Sequence, residues 1–256
     1  MNKNSILYKA IRIVVIVVIF WALVYVFYKH GRWAYYPIYR RYFTYSVEDR
    51  VKQYGKEAKS RFMPFFSKVK VDYPPTELGL VILKKERKFE VWAREKDKPD
   101  MVFVKEYPMT AFCGKLGPKL KEGDWQIPEG IYEISGLNPN SSYHLSLKVN
   151  YPNDFDKKMG KADKRTNLGG LIFIHGYNVT IGCVPIGNPA IEEVFVMVAE
   201  TGRKNVEVVM SPLDFRLKAD KYKVENVHYL PLKPPWVSIL YKSISEKLNL
   251  RYAKNR

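Results

Sequence analysis

The chain is poor in cysteine, with only Cys113 and Cys183 among its 256 residues. A small secreted scaffold held by several disulfides is therefore excluded. Acidic side chains are also scarce, 26 against 43 basic ones, and the net charge is +17. This excess favours an anionic partner. With 46% hydrophobic residues the chain has enough apolar surface to bury a core, which excludes global disorder.

Several recognition motifs are absent as well. No familiar nucleic-acid-binding motif accompanies the positive charge, so no nucleic-acid partner is predicted. Cysteine and histidine pairs with the spacing of a zinc site are missing, and we expect neither a metal nor another cofactor. No internal repeat is visible, which argues against a solenoid.

The longest apolar run covers residues 13–28 and contains no charged side chain. As a helix it would be about 24 Å long, slightly short of the roughly 30 Å hydrocarbon core, and flanking basic residues that snorkel would extend it. No A-x-A-like cleavage site follows the run, so residues 1–28 are predicted to be an uncleaved signal anchor, with a cleavable signal peptide as the alternative. Basic residues flank both ends, so charge alone leaves the orientation open.

A basic and aromatic segment, residues 29–75, follows the apolar run. Residues 29–70 contain eleven Lys and Arg but three acidic residues, which places +8 of the net charge there. Aromatic side chains are frequent in its first half, as is usual where amphipathic rings lie at a membrane interface. We therefore predict a juxtamembrane linker, with some helix, whose residues 29–70 bind anionic phospholipid.

Strand patterns dominate after Pro74-Pro75, which marks the predicted start of a globular domain over residues 76–215. The predicted strands are 79–83, 89–94, 101–107, 130–135, 143–151, 170–174 and 205–210. The fold class is therefore mainly β with a few helices, preceded by a single transmembrane helix.

Two helices are predicted near the end of the chain. Asn188 is the predicted N-cap of the first, Pro189 suits its first position, and Gly202 would end it. The second lies in a C-terminal extension, residues 216–256, where apolar residues recur every three or four positions. These residues are Val237, Leu240, Tyr241, Ile244 and Leu248.

Residues 170–185 (GLIFIHGYNVTIGCVP) hold the chemically most suggestive pattern. Seven residues separate His175, at the end of an apolar strand, from Cys183. A cysteine nucleophile acts as thiolate, and a nearby histidine can accept its proton. Backbone N–H groups of Gly176, Gly182 and Cys183 could stabilise an oxyanion. The alternative is a buried cysteine that serves as a small hydrophobic residue.

These residues resemble the L,D-transpeptidase (YkuD-type) catalytic domain family, whose signature has His-Gly, a spacer and Ser/Thr-His-Gly-Cys. Further segments are similar to the murein L,D-transpeptidase, YafK-like branch, namely 116–119, 123–132, 138–145 and 191–193. The resemblance covers roughly residues 78–215 and implies a YkuD-like mixed β-sandwich. The chain departs from the wider family in its short spacer, in Ile181 where most members have histidine, and in Pro185 near the usual Arg or Asn.

The resemblance implies roles for these residues. Cys183 would be the nucleophile and His175 its general base, oriented by a backbone carbonyl. Possible substrate-binding residues are Thr180, Arg165, Tyr143, His144 and Asn150.

The resemblance also implies a partner and a location. The implied substrate is the peptidoglycan stem peptide, attacked at the L,D-peptide bond after meso-diaminopimelate to give a thioester. Transfer to an amine would make the protein a transferase of cell-wall biogenesis and cell shape. The alternatives are a hydrolase, either an amidase that releases murein-bound lipoprotein or an L,D-carboxypeptidase, and an inactive peptidoglycan-binding protein. The implied location is the inner membrane, with the catalytic domain on the periplasmic side.

Overall fold

The computed structural model describes residues 3–30, 44–95, 98–217 and 234–253. Two compact units are present, one within residues 1–44 and one within residues 45–256. Part of the predicted basic aromatic segment, residues 31–43, lies outside the described residues. The same holds for residues 218–233 of the predicted C-terminal extension.

Helix α1, Lys3–His30, belongs to the first unit. Its window Ile11–Lys29 has a mean hydropathy of 2.6, and none of it is buried. A helix of 28 residues is about 42 Å long, enough to cross a hydrocarbon core of roughly 30 Å. Length and composition thus agree with the predicted anchor, although a signal sequence near the N-terminus meets the same criterion.

Helix α2, Val47–Val69, opens the second unit. Ser46 and Asp49 form a capping box, in which each side chain accepts a hydrogen bond from the other residue's backbone N–H. Ala58, Phe62 and Phe66, spaced four apart, are buried in the core. Much of the segment predicted as a linker, residues 29–75, is therefore a helix of the second compact unit. The helix belongs to this unit because its apolar stripe packs in the core, although charged residues surround the stripe in the sequence.

Within the described part of the chain, eight strands form one mixed sheet in the order β3-β2-β1-β8-β4-β5-β6-β7. The strands are β1 Glu77–Leu83, β2 Lys88–Arg94, β3 Val102–Pro108, β4 Gly130–Asn138, β5 Ser146–Val149, β6 Phe173–His175, β7 Val184–Pro185 and β8 Val206–Ser211. The β1–β8 and β6–β7 pairs are parallel and the others antiparallel. The predicted fold, mainly β with a few helices, is confirmed.

Helices cover both faces of the sheet. Helix α4, Asn188–Thr201, packs with α2 on one face, and helix α5, Trp236–Arg251, packs on the other. Alternate residues of β1 enter the two cores, Leu80 on one side and Val81 on the other, so the strand is an unbroken apolar run. The predicted apolar stripe of α5 is buried throughout.

Local predictions failed at several places. The strand predicted over 170–174 is reduced to Phe173–His175, since Leu171 has φ 55°. The strand predicted over 143–151 is shorter because His144 has φ 73°, a left-handed conformation that breaks the extended chain. Gly187, not Asn188, is the N-cap of α4, since the Asn188 side chain instead accepts a hydrogen bond from Tyr177 N–H at 2.9 Å. Helix α3, Asp154–Ala162, was not predicted and starts with a capping box at Asn153.

Candidate active site

The register of β6 against β7 brings the predicted nucleophile and base to one place. Ile174 pairs with Val184, and His175 pairs with Pro185. Cys183, one residue before β7, therefore lies beside Phe173. Because side chains alternate along a strand, Cys183 and His175 lie on the same face of the sheet.

His175 is buried, with 2% of its surface exposed. Its Nδ1 lies 2.6 Å from the Gly176 carbonyl oxygen. A carbonyl only accepts, so Nδ1 carries the proton and Nε2 is the nitrogen that can accept one. Burial lowers the pKa of His175, and the hydrogen bond to Gly176 partly opposes this effect. The resting imidazole is therefore neutral, in the tautomer that a general base needs.

Cys183 is a half-buried, free thiol. Its Sγ lies 3.7 Å from the Leu171 carbonyl oxygen, to which the thiol donates. Burial raises the pKa of Cys183, while a hydrogen bond with the Phe173 backbone lowers it. The structure thus favours a neutral thiol beside a neutral imidazole, rather than a preformed thiolate.

The thiol proton of Cys183 is directed at the Leu171 carbonyl, so it must be redirected before His175 can accept it. Among the residues that the structure describes, Cys183 Sγ donates to the Leu171 carbonyl, and no hydrogen bond joins it to His175. Catalytic hydrogen bonds are often completed only when substrate is bound. The thiol proton is therefore expected to pass to His175 only once substrate is bound.

The turn before the thiol is closed by Thr180. Its hydroxyl accepts from Gly182 N–H at 3.0 Å and donates to the Cys183 carbonyl at 2.7 Å. Gly182 has φ +139°, and a Cβ there would lie 3.2 Å from the Gln126 carbonyl oxygen. Glycine is therefore required for this turn. Thr180 is used to shape the turn, although it was predicted to contact substrate.

Two of the three predicted oxyanion donors already have hydrogen-bond partners within the protein. Gly182 N–H is taken by Thr180, and Gly176 N–H lies 3.1 Å from the Tyr143 carbonyl and 3.3 Å from that of Leu145. Both amides therefore point to partners within the protein. Of the three predicted donors, we retain the N–H of Cys183 as the proposed oxyanion contact.

Of the other predicted site residues, Tyr143 lies next to His175, the predicted base. Its ring centroid is 4.7 Å from that of His175, and the side chain is half exposed. His144, in contrast, turns toward α4, where its Nε2 lies 2.8 Å from Glu192 Oε1. Tyr143 is thus positioned to meet both the imidazole and solvent.

Arg165 and Asn150 are engaged away from the thiol. The guanidinium of Arg165 bonds the Asp163 carboxylate and the Leu120 carbonyl. Asn150 Oδ1 accepts a hydrogen bond from Glu133 N–H. Asn150 and Glu133 line a polar groove of about 620 Å³, and neither Cys183 nor His175 belongs to that groove. The structure therefore does not bring these two predicted substrate-binding residues to the Cys183–His175 pair.

Exposed apolar side chains border the thiol. Leu171, whose carbonyl contacts Sγ, is 68% exposed, and Ile181, two residues before Cys183, is 73% exposed. Ile181 replaces the histidine that the resemblance leads one to expect. The approach to Cys183 is therefore apolar on this side.

A buried ion pair, missed by the sequence analysis, holds the loop beside this turn. Lys84 Nζ donates to Glu129 Oε1 at 2.7 Å and to the carbonyls of Gly117 and Ile127 at 2.8 and 2.9 Å. Glu129 also accepts from the Tyr241 hydroxyl of α5 at 2.7 Å. The partners are 33 to 112 residues apart, so no local pattern could have shown the network.

Cys113, the second cysteine, lies at the same turn. Its Sγ is 3.7 Å from Thr180 Oγ1, and its proximity contributes to the raised pKa of Cys183. Cys113 is free. It therefore offers an internal control for any measurement of thiol reactivity at Cys183.

Comparisons with known proteins point to a single family. A family model, the YkuD L,D-transpeptidase catalytic domain, matches residues 79–210. A curated Escherichia coli K12 protein described as "Putative L,D-transpeptidase YafK" is 30% identical over 161 residues, which are 60% of this chain and 62% of that protein. The chain thus spans about three fifths of the length of the curated relatives it matches.

Solved structures with a similar fold include three bacterial proteins. The helical cell shape determining protein Pgp2 of Campylobacter jejuni has a TM-score of 0.43 and 24% identity, over 59% of this chain and 55% of that one. Bdellovibrio bacteriovorus Bd1075 has a TM-score of 0.38 and 23% identity, over 54% and 48%. Mycobacterium tuberculosis L,D-transpeptidase 1 has a TM-score of 0.30 and 14% identity, over 53% and 62%.

Proposed function

Because the chain belongs to the L,D-transpeptidase family, with a YkuD-type catalytic domain at residues 79–210, we propose that it is a cysteine acyltransferase acting on peptidoglycan stem peptides. One observation carries the proposal. Cys183 and His175 lie on the same sheet face, and the Gly176 carbonyl holds His175 as the Nδ1–H tautomer. A backbone carbonyl in this role is what the family resemblance implies.

The proposed acylation moves one proton and exchanges one bond. Cys183 Sγ attacks the carbonyl carbon of the L,D-peptide bond while His175 Nε2 takes the thiol proton. The N–H of Cys183 stabilises the oxyanion. The C–N bond then breaks, His175 returns the proton to the leaving amine, and a thioester on Cys183 remains.

The acceptor decides the outcome of the second step. An amine of another stem peptide attacks the thioester, His175 takes its proton, and the released Cys183 sulfur recovers it. Attack by water would instead make the protein a hydrolase of stem peptides or of murein-linked lipoprotein. The same acyl-enzyme serves both routes, so products rather than site geometry distinguish them.

The experiment is incubation of the full chain with purified muropeptides and analysis of the products by mass spectrometry. Cross-linked dimers support the transferase, and shortened monomers indicate the hydrolase. We expect Cys183→Ala to abolish turnover and Cys113→Ala, the matched control, to retain most of it. Equal loss in both variants would contradict the assignment of Cys183, and binding without turnover in the parent would favour an inactive binding protein.

We further propose that α1 anchors the chain in the inner membrane by a single pass, with the catalytic unit on the periplasmic side, where peptidoglycan lies. Residues 29–70 would contact anionic phospholipid. Within the described part of this segment, Arg61 and Lys59 are paired with glutamates of α4. The lysines on α2 and directly after it whose exposure supports a lipid contact are Lys52, Lys56, Lys68 and Lys70.

A further inference from the structure

The turn formed by Tyr143 and His144 lies directly on the proposed base. The Tyr143 ring is tilted by 39° against the His175 imidazole at a centroid distance of 4.7 Å. The Tyr143 carbonyl accepts from Gly176 N–H at 3.1 Å. A Cβ at Gly176 would lie 2.8 Å from that carbonyl oxygen and 3.1 Å from His144 Cβ. Tyr143 therefore contacts the imidazole and also the residue whose carbonyl orients it.

The conformation of this turn is strained and needs an external anchor. His144 has φ 73°, a region that residues with a Cβ seldom occupy. Its side chain points to α4, where Nε2 donates to Glu192 Oε1 at 2.8 Å, because a carboxylate can only accept. The Tyr54 ring of α2 packs edge-on against the imidazole of His144 at 5.2 Å. These contacts hold His144 on the side of the turn away from His175.

The carboxylate of Glu192 is in turn hydrogen-bonded by a side chain of α2. Arg61 donates to Glu192 Oε2 at 2.8 Å and to Glu193 Oε1 at 2.9 Å. Glu193 is buried and also bonds Lys105 and Tyr107 of β3, so the N-terminal end of α4 is fixed on both sides. A continuous series of contacts thus runs from α2 to the imidazole of His175.

We propose that the His144–Glu192 pair, braced by Arg61, positions the catalytic base: it holds the strained turn so that Tyr143 packs on His175 and keeps the imidazole bonded to Gly176. The inference rests on the proposed function only in taking His175 as the base for Cys183. Neither His144 nor Glu192 touches the thiol, so both are positioning residues. Loss of the pair releases the turn and lets the imidazole turn away from the orientation in which Nε2 accepts the proton.

The test follows the alkylation of Cys183 by iodoacetamide as a function of pH, on the full chain in detergent, resolved by peptide mass spectrometry. This readout needs no peptidoglycan, and Cys113 in the same sample reports general changes. Glu192→Ala, His144→Asn and Tyr143→Ala are expected to slow alkylation near neutral pH about 10-fold or more, the scale expected for a misplaced catalytic group. Their pH profiles should move upward, toward that of His175→Ala.

Matched variants separate positioning from simple loss of structure. Glu200→Ala removes a comparable contact between α4 and α2, since Glu200 bonds Lys59 at 2.7 Å and the Tyr73 hydroxyl at 2.5 Å, but it does not touch His144. Its profile should match the parent. Glu192→Gln keeps an acceptor for His144, and Tyr143→Phe keeps the aromatic ring. Each of these variants should therefore alkylate at Cys183 much faster near neutral pH than the alanine variant at the same position. His144→Asn tolerates the left-handed backbone, so its loss reports the side chain.

Each outcome bears on one claim. The pH profile of Cys183 alkylation could be unchanged from the parent in Tyr143→Ala, Glu192→Ala and His144→Asn but shifted in His175→Ala. That result would overturn the positioning role and would still support His175 as the base. If the variants show shifted alkylation profiles but the parent chain does not turn over muropeptides, the positioning role is supported and the proposed function is refuted. If Glu192→Ala fails to fold, His144→Asn still decides, because asparagine tolerates the left-handed backbone and the variant removes the contact with Glu192.

Discussion

Substitution of Lys84 by methionine tests how the loop beside the active site is held. Lys84 is fully buried, and its ammonium has three acceptors, the Glu129 carboxylate and two backbone carbonyls of the loop. Methionine is similar in length and apolar, so it fills the space with little strain. What the change removes is the charge that compensates Glu129.

The expected cost is large because the remaining charge is buried. Breaking a buried ion pair by removal of one partner costs about 3–5 kcal/mol. Glu129 keeps two donors, the Gly117 N–H at 2.8 Å and the Tyr241 hydroxyl at 2.7 Å. The lower end, about 3 kcal/mol, is therefore expected for the loss in the free energy of unfolding. Tyr241→Phe removes one hydrogen bond to the charged group and should cost about 1.5–3 kcal/mol.

Urea denaturation followed by tryptophan fluorescence measures both effects. The matched control is Lys88→Met, since the Lys88–Glu106 pair is 44% and 41% exposed; such a pair contributes at most about 1 kcal/mol. The double variant Lys84→Met/Tyr241→Phe should depart from additivity, because both residues contact Glu129. Equal stability of Lys84→Met and Lys88→Met would refute the reasoning.

Three further predictions concern pH, the base and the membrane. Burial raises the pKa of Asp156 to about 6, so the native state binds the carboxyl proton of Asp156 more tightly than the unfolded chain does. The protonated carboxyl therefore stabilises the fold at low pH. This stabilisation, up to about 3 kcal/mol, should be lost as pH rises from about 4 to about 6. Asp156→Asn should lack this loss in denaturation series at several pH values, and a parallel pH dependence in both proteins would contradict it. His175→Ala should slow iodoacetamide alkylation of Cys183 near neutral pH, because the group that takes the thiol proton is lost, and should shift the pH profile upward, since burial raises the pKa of the remaining thiol; an unchanged profile would argue against His175 as base. A protein lacking residues 1–28 should sediment with anionic liposomes at low salt and be released at high salt, and salt-insensitive binding or none would count against the lipid contact.

Local sequence was sufficient where one segment determines its own structure. The stripe of α5 was predicted from a spacing of three or four residues, and Gly202 ends α4 as expected. The β6–β7 register places Cys183 and His175 on one face, while their roles, expected from spacing and family resemblance, stay a prediction. In each case the relevant residues lie within one short stretch of chain, so periodicity and spacing report them.

Tertiary structure decided what depends on distant partners and on burial. Helix α2 looked like a charged linker, because its partners on α4, reached through Arg61, lie 131 and 132 residues away. The left-handed His144 is stabilised by Glu192, 48 residues further on, and so β5 begins later than alternation predicted, at Ser146. The neutral state of His175 and Cys183 follows from desolvation, which depends on every element packed around them. Sequence periodicity reports which face of a segment is apolar, but the partner of a buried charge, and hence its protonation, is set only when distant segments meet.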